Sequence, residues 1–330
     1  MSTSQPAHAA RPQVAVLLAT YNGARFVEAQ IRSLKENATP FTLHWIDDHS
    51  TDNTRDVVRA CARSLEIELK EWHQPERLRL PRTFFQLLES AEADIYLFCD
   101  QDDIWQPGKI DATVENLAPD LAAPVLCFSD SLLFYNDRPD VVRRVSEVFG
   151  SRPPKALEES RLFMTLIAPG HTQGLTRPLR DLYLSHKDIA RDYARSHDGW
   201  MYLIANASGT SRMLSNVPTA LYRQHGSNVI TALLRRPGAR FDHHALAWKQ
   251  QQRLRQLVAR HARGFILAAP TLAHGPKLER LLQLANWVAT LDRRQSPVEL
   301  LRLVRRHALW PNRRWALWFA AACLWSDAQV

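Results

Sequence analysis

DIYLFCDQDDIW, residues 94–105, runs from an apolar stretch straight into three carboxylates within four positions. The apolar half reads as a strand buried on both faces, which places Asp100, Asp102 and Asp103 at its carboxyl end. At roughly 4 to 7 Å apart and an effective dielectric near 20, unit charges repel by about 2 to 4 kcal/mol per pair. Either a cation compensates the cluster or it is a solvated turn that ends a strand.

The segments before it decide the fold class. VAVLLAT (14–20) is a second continuous apolar run, followed by the turn Tyr21-Asn22-Gly23 and by AQIRSLKEN with apolar positions at helical spacing. LHWI (43–46) reads as a strand ending in DDHSTDNT, where Ser50, Thr51, Asp52 and Asn53 can each cap a helix through about Arg63. IELKEW then predicts a strand and RTFFQLLESA a helix. Strands alternating with helices over short connections predict an α/β, mainly parallel sheet flanked by helices. Ligands bind beyond the carboxyl ends of such strands, so TYNG, DDHSTDNT and DQDD should converge.

VLCFSDS (125–131) predicts another strand, and Asn136 to Ser160 reads as irregular, with Pro139, Pro153 and Pro154. MTLIAPGHTQGLTR reads as strand and turn, HDGWMYLIANASG as a mostly buried helix, and ALYRQHGSNV as a short strand and loop. From Phe241 onward the pattern is helical and basic. The organisation expected is a disordered leader over 1–12, a catalytic domain over 13–232 with halves 13–118 and 119–232, and a helical basic region over 233–330.

Among the 330 residues the net charge is +8, and residues 231–330 hold 17 Lys+Arg against 5 Asp+Glu, so the basic excess is entirely C-terminal. Such a tail meets nucleic acid, anionic lipid or a phosphorylated substrate. Its end, around 300–326, combines arginines with Trp315, Trp318, Phe319 and Trp325 in an apolar run too short to span a bilayer. That suits a membrane-surface helix, or equally a helix packed on the core or a second subunit. The first dozen residues lack a secretory signal, and four scattered cysteines point to a reducing, cytoplasmic location, peripheral on the inner membrane face if the tail binds lipid. No GxGxxG, P-loop or GxSxG motif is present, which speaks against dinucleotide, P-loop and elbow-hydrolase chemistry.

LLATYNGARFVEAQIRSL, WIDDHSTDNT, FCDQDDIWQPGKI, HDGWMYLIANASG and YRQHGSNVIT, in this order, resemble the family 2 glycosyltransferases of the GT-A fold, a Rossmann-like nucleotide-diphospho-sugar transferase architecture. The specific likeness is to bacterial rhamnosyltransferase-like members that build surface polysaccharide, and it covers about Val14 to Thr231. The resemblance implies an inverting transfer from a nucleotide sugar, dTDP- or UDP-linked, assisted by Mg²⁺ or Mn²⁺, to a saccharide or lipid-linked saccharide of lipopolysaccharide or capsule. It implies donor contacts from Thr20, Tyr21, Asn22, Asp48, Asp100, Asp103, Arg223 and His225. Asp48 matches a residue that accepts the N3–H of thymine or uracil, its neighbour Asp47 reads equally as a helix cap, and His49 stands where relatives usually have Gly. Asp102 matches the metal ligand of the D-x-D element, joined by Asp100 and His225. Asp198 matches the base that removes the acceptor proton, or caps its helix, and Gly170, His197 and Trp200 fall on the acceptor side. Gly199 departs from the usual HDWW, and Trp105 either packs or touches donor. A nucleotidyltransferase and a basic nucleic-acid-binding module are the competing classes.

Overall fold

The computed structural model describes residues 11–135, 138–148, 163, 168–214, 217–225 and 245–290. In chain order the elements are β1 (Val14–Thr20), α1 (Val27–Leu34), β2 (Thr42–Asp47), α2 (Thr54–Ser64), β3 (Glu68–Trp72), α3 (Arg82–Ser90), β4 (Ile95–Asp100), β5 (Ile104–Trp105) and α4 (Lys109–Leu117). There follow β6 (Val125–Phe128), β7 (Ser131–Tyr135), β8 (Arg138–Arg144), α5 (Val145–Val148), β9 (Gly174–Thr176), α6 (Arg177–Leu184), α7 (Lys187–Tyr193), α8 (His197–Ser208), β10 (Thr210–Met213), β11 (Ala220–Gln224), α9 (Ala245–Ala268) and α10 (Pro276–Val288). The leader up to residue 10 and the 300–326 helix lie outside the described residues. Among those described, no helix is long and apolar enough to cross a membrane.

The main sheet runs β10-β6-β9-β4-β1-β2-β3. β4, β1, β2 and β3 are mutually parallel, as expected of apolar runs buried on both faces, while β9 enters antiparallel between β4 and β6. Alternation along the strands divides the core into two layers. Ala15, Leu17, Ala19, Tyr96 and Phe98 pack with Phe84 of α3 and Trp200 of α8, whereas Val16, Leu18, Leu97 and Cys99 face Ile31 of α1 and Ile110 of α4.

A second sheet, β5-β11-β7-β8, departs from the sequence expectation. The VLCFSDS segment is two strands rather than one, broken at Ser129 and Asp130 because the buried Asp130 carboxylate accepts from the amides of Ser131 and Ser146. Within the stretch predicted irregular, β8 pairs antiparallel with β7, and Pro139 is tolerated because β8 is an edge strand. β5 pairs with β11 in the register Trp105↔Ala220, so the acidic loop that ends β4 opens directly into this second sheet.

Gly209 joins α8 to β10 at a close backbone approach: an added Cβ would lie 2.0 Å from the Pro124 carbonyl oxygen, which is itself held by the Thr210 amide at 3.0 Å. That oxygen cannot retreat without breaking the ladder. Gly209→Ala should therefore destabilise the fold by about 1–3 kcal/mol, read as a lower thermal midpoint.

Candidate functional site

The three loops converge as the topology requires, and side-chain amides stitch them together. Gln101 accepts from the Tyr21 amide at 2.9 Å and donates to the Tyr21 carbonyl at 3.1 Å, joining the DQDD and TYNG loops. Gly23 leaves room for it, since a Cβ there would lie 2.1 Å from Gln101 Oε1. Asn22 accepts from the Thr51 amide at 2.8 Å, and its own amide donates to Ser50 Oγ at 2.8 Å, joining TYNG to DDHSTDNT.

On the nucleoside side, Thr20 ends β1. Its hydroxyl is buried, donating to Asp47 Oδ1 and accepting from Trp45 Nε1, both at 2.9 Å. Asp47 organises the loop instead of capping α2, taking the Ser50 amide and the Arg55 guanidinium. The Asp48 oxygens accept the Leu78 and Arg79 amides at 2.7 and 2.9 Å. Arg77 lies 3.4 Å over the Tyr21 ring and 3.6 Å from Asp48, so a guanidinium, an aromatic face and a carboxylate line one corner. His49 adopts φ 66°, the left-handed region that explains the glycine usual in relatives, and its Nε2 meets the Gln74 carbonyl at 3.1 Å.

At the metal corner, His225 Nε2 lies 2.8 Å from Asp102 Oδ2, with both side chains partly exposed, and the imidazole stacks on Phe26 at 4.6 Å. Arg223 runs behind the loop: its Nε donates to the Asp102 carbonyl at 2.7 Å and its amide to Asp103 Oδ1 at 3.1 Å. Asp103 is fully buried, and its Oδ2 faces His171 Nδ1 at 3.4 Å. Asp100, Asp103 and His171 each bring one ligand atom within 4.8 Å of the others. Hard carboxylate oxygens with an imidazole, at the rim of a cluster whose repulsion is incompletely balanced, fit a divalent cation. Asp102 and His225 offer the accessible ligand atoms, with Asp100 between the two sets.

Electrostatics sharpen this. Burial, Asp102 and Asp198 push the Asp100 carboxyl up to about 8, and burial with Asp102 and Asp100 holds Asp103 well above the usual carboxylate range. Burial and the neighbouring Lys109 lower His171 to about 3, so its imidazole is neutral.

On the acceptor side, burial pushes Asp198 up, but His197, the Ser196 hydroxyl, the Gly199 amide and Arg195 together outweigh it and leave it below the usual range. The helix cap is Ser196, whose Oγ accepts from the Gly199 amide at 3.2 Å. Asp198 Oδ2 instead takes the Gly170 amide at 3.1 Å. Gly170 is required there, since a Cβ would lie 2.5 Å from His197 Nε2. His197 is buried between Phe84 and Phe98 at 4.0 and 4.7 Å, neutral because burial lowers it to about 4. Trp200 has no exposed surface, and its Nε1 donates to His186 Nε2 at 3.2 Å.

Trp105 is resolved as packing. It is 1% exposed and carries the Lys109 ammonium 3.8 Å above its ring. Gln101, Arg77, Lys109 and His171 escape a reading of sequence because their partners lie far along the chain, 80 residues in the case of Gln101 and Tyr21.

Residues 15–170 match the family described as Glycosyl transferase family 2. The chain is 25% identical over 226 residues to the dTDP-rhamnosyl transferase RfbG of Shigella flexneri, covering 65% of this chain and 74% of that one. It is 28% identical over 110 residues to the putative teichuronic acid biosynthesis glycosyltransferase TuaG of Bacillus subtilis, covering 32% and 42%. Among solved structures, S. aureus TarS 1-349 in complex with UDP superposes with a TM-score of 0.54 at 16% identity, over 85% of this chain and 88% of that one. Mannosyltransferase PcManGT from Pyrobaculum calidifontis, in complex with GDP-Man and Mn2+, superposes with 0.54 at 19% identity, over 97% and 88%. The fold is GT-A.

A cation at this corner must displace the proton that Asp100 holds below about 8. Ionised carboxylate is the binding form, so Mn²⁺ affinity should rise with pH, by about tenfold per unit below that value, and level off above it. Calorimetric Mn²⁺ titrations between pH 6 and 9 check the slope, and Asp102→Asn should weaken binding at every pH.

Proposed function

We propose that the chain, whose residues 15–170 match Glycosyl transferase family 2, is a glycosyltransferase that transfers L-rhamnose from dTDP-rhamnose. The transfer is a single inverting displacement onto a saccharide or lipid-linked saccharide in cell-surface polysaccharide synthesis. The name of the Shigella flexneri relative supports the donor, and a UDP-sugar is the second donor class because uracil offers the same N3–H as thymine. The observation that carries the mechanism is Asp198: a buried carboxylate kept ionised and aimed by the Gly170 amide, close enough to Asp100 to raise it.

Tyr21, Arg77 and Asp48 receive the nucleoside, with Asn22 shaping their loop. Asp102, Asp100 and His225 hold Mg²⁺ or Mn²⁺, which when bound neutralises charge on the departing nucleoside diphosphate. Asp198 accepts the proton of the acceptor hydroxyl as its oxygen attacks the anomeric carbon opposite the leaving group. No second carboxylate nucleophile is needed for inversion. The half 13–118 supplies most donor contacts and the half 119–232 the acceptor side, with Arg223 and His225 reaching back to the donor corner, and the basic region over 233–330 meets the inner membrane face, where the 17 basic against 5 acidic residues in 231–330 face anionic lipid.

Asp198→Asn should lower turnover by about 10²- to 10⁴-fold while nucleotide-sugar binding is retained. Calorimetry against dTDP-rhamnose and UDP-sugars, with and without Mn²⁺, paired with release of nucleoside diphosphate, reads both. Loss of donor binding in Asp198→Asn would defeat the base assignment. Because Asp198 is ionised from below the usual carboxylate range upward, it should impose no acidic limb on the rate near neutral pH. Deleting residues 301–330 should move the protein from the membrane fraction to the supernatant.

A further inference from the structure

Lys109 stands at the first position of α4, just after Gly108 in the left-handed region at φ 76°. Only 1% of it is exposed. A buried ammonium is costly to desolvate, and an apolar side chain would fill the space over Trp105 at less expense. Its hydrogen bond shows a use. Nζ donates to the carbonyl of His171, in the turn Gly170–Thr172, while resting over the Trp105 ring. The amide opening that turn is the one that holds Asp198 Oδ2, and the turn is pressed so closely on α8 that a Cβ on Gly170 would sit 2.5 Å from His197 Nε2. From the other side, the ammonium acts through space on Asp100 and Asp103, forming no ion pair with either among the described residues. One buried cation therefore touches the acidic loop by charge and the base by a two-step hydrogen-bonded link.

We infer that Lys109 is a positioning residue for the transfer: its ammonium fixes the Gly170–Thr172 turn against the start of α8, and so sets the direction in which Asp198 faces the acceptor hydroxyl. The inference rests on the reading of Asp198 as the base. Because the link runs to the base, removing the ammonium acts on the rate of transfer and leaves donor binding in place. A residue that merely filled the core would change stability without separating these two quantities.

The test uses the full chain with Mn²⁺ and dTDP-rhamnose, with water serving as the acceptor hydroxyl, reading dTDP release and thermal midpoint for Lys109→Met, Lys109→Gln and Lys109→Arg, with Asp198→Asn as reference. Expected is a kcat 30- to 1000-fold lower for the Met and Gln variants, with donor KM within threefold of wild type. Lys109→Arg, which keeps both charge and donor, should recover kcat to within tenfold. A folded Met or Gln variant with wild-type kcat overturns the inference, as does a loss that falls on donor KM alone. If both neutral variants fail to fold while Lys109→Arg matches wild type, Lys109 is a stability element and the positioning role is likewise overturned. A wild-type chain that binds dTDP-rhamnose but releases no dTDP, or an Asp198→Asn variant as fast as wild type, defeats the reading of the site itself.

Discussion

Carboxylates crowded into a dry corner repel one another, and this repulsion at the carboxyl end of β4 organises the rest of the molecule. Asp100 and Asp103 answer it in part by holding protons, through burial and through Asp102. The protein answers it further with cations kept at different distances. Arg223 binds the loop from behind through the Asp102 carbonyl, and Lys109 lies beneath it in the core. Burial lowers the Lys109 ammonium to about 7. The corner is thus a set of groups that share a small number of protons, and an arriving divalent cation changes the occupancy of several of them at once.

The same loop is the joint between two sheets. β4 delivers it from the parallel sheet, and within four residues β5 is paired with β11 of the second sheet. β11 in turn ends at Gln224, which leaves His225 beside Asp102. Donor and acceptor elements are consequently not two bodies closing on a ligand. They share backbone, and a shift in the DQDD loop is felt in β11 and in the Gly170–Thr172 turn together.

What could be read from sequence follows from which forces are local. Parallel strands buried on both faces must be continuous apolar runs, so VAVLLAT and IYLFC declare themselves, and their order places the loops. β8 was obscured because Pro139 and its charges suit an edge strand as well as they suit a loop. Motif residues could be located but not oriented. Thr20 and Asp103 are polar and sit in the right loops, yet their side chains turn inward to Trp45 and His171, and Trp200 turns toward His186. A polar residue in a motif has two ways to satisfy its hydrogen bonds, and only the partners decide between them. Gln101, Lys109 and Arg77 carried no signal for the converse reason: each is defined by a partner supplied from elsewhere in the chain.

Asp100 and Asp198 show how far environment divides one side-chain type. Both are largely withdrawn from water, and Asp198 raises Asp100 less than burial and Asp102 do. Asp100 has carboxylate neighbours and ends protonated at neutral pH, whereas Asp198 sits in the first turn of α8 with the Gly170 and Gly199 amides, His197 and Arg195 around it, and ends ionised. Two carboxyls pushed apart in this way can act in sequence without competing for the same proton. A divalent cation in place of the proton on Asp100 would add positive charge to the field at Asp198, and so make Asp198 a slightly weaker base.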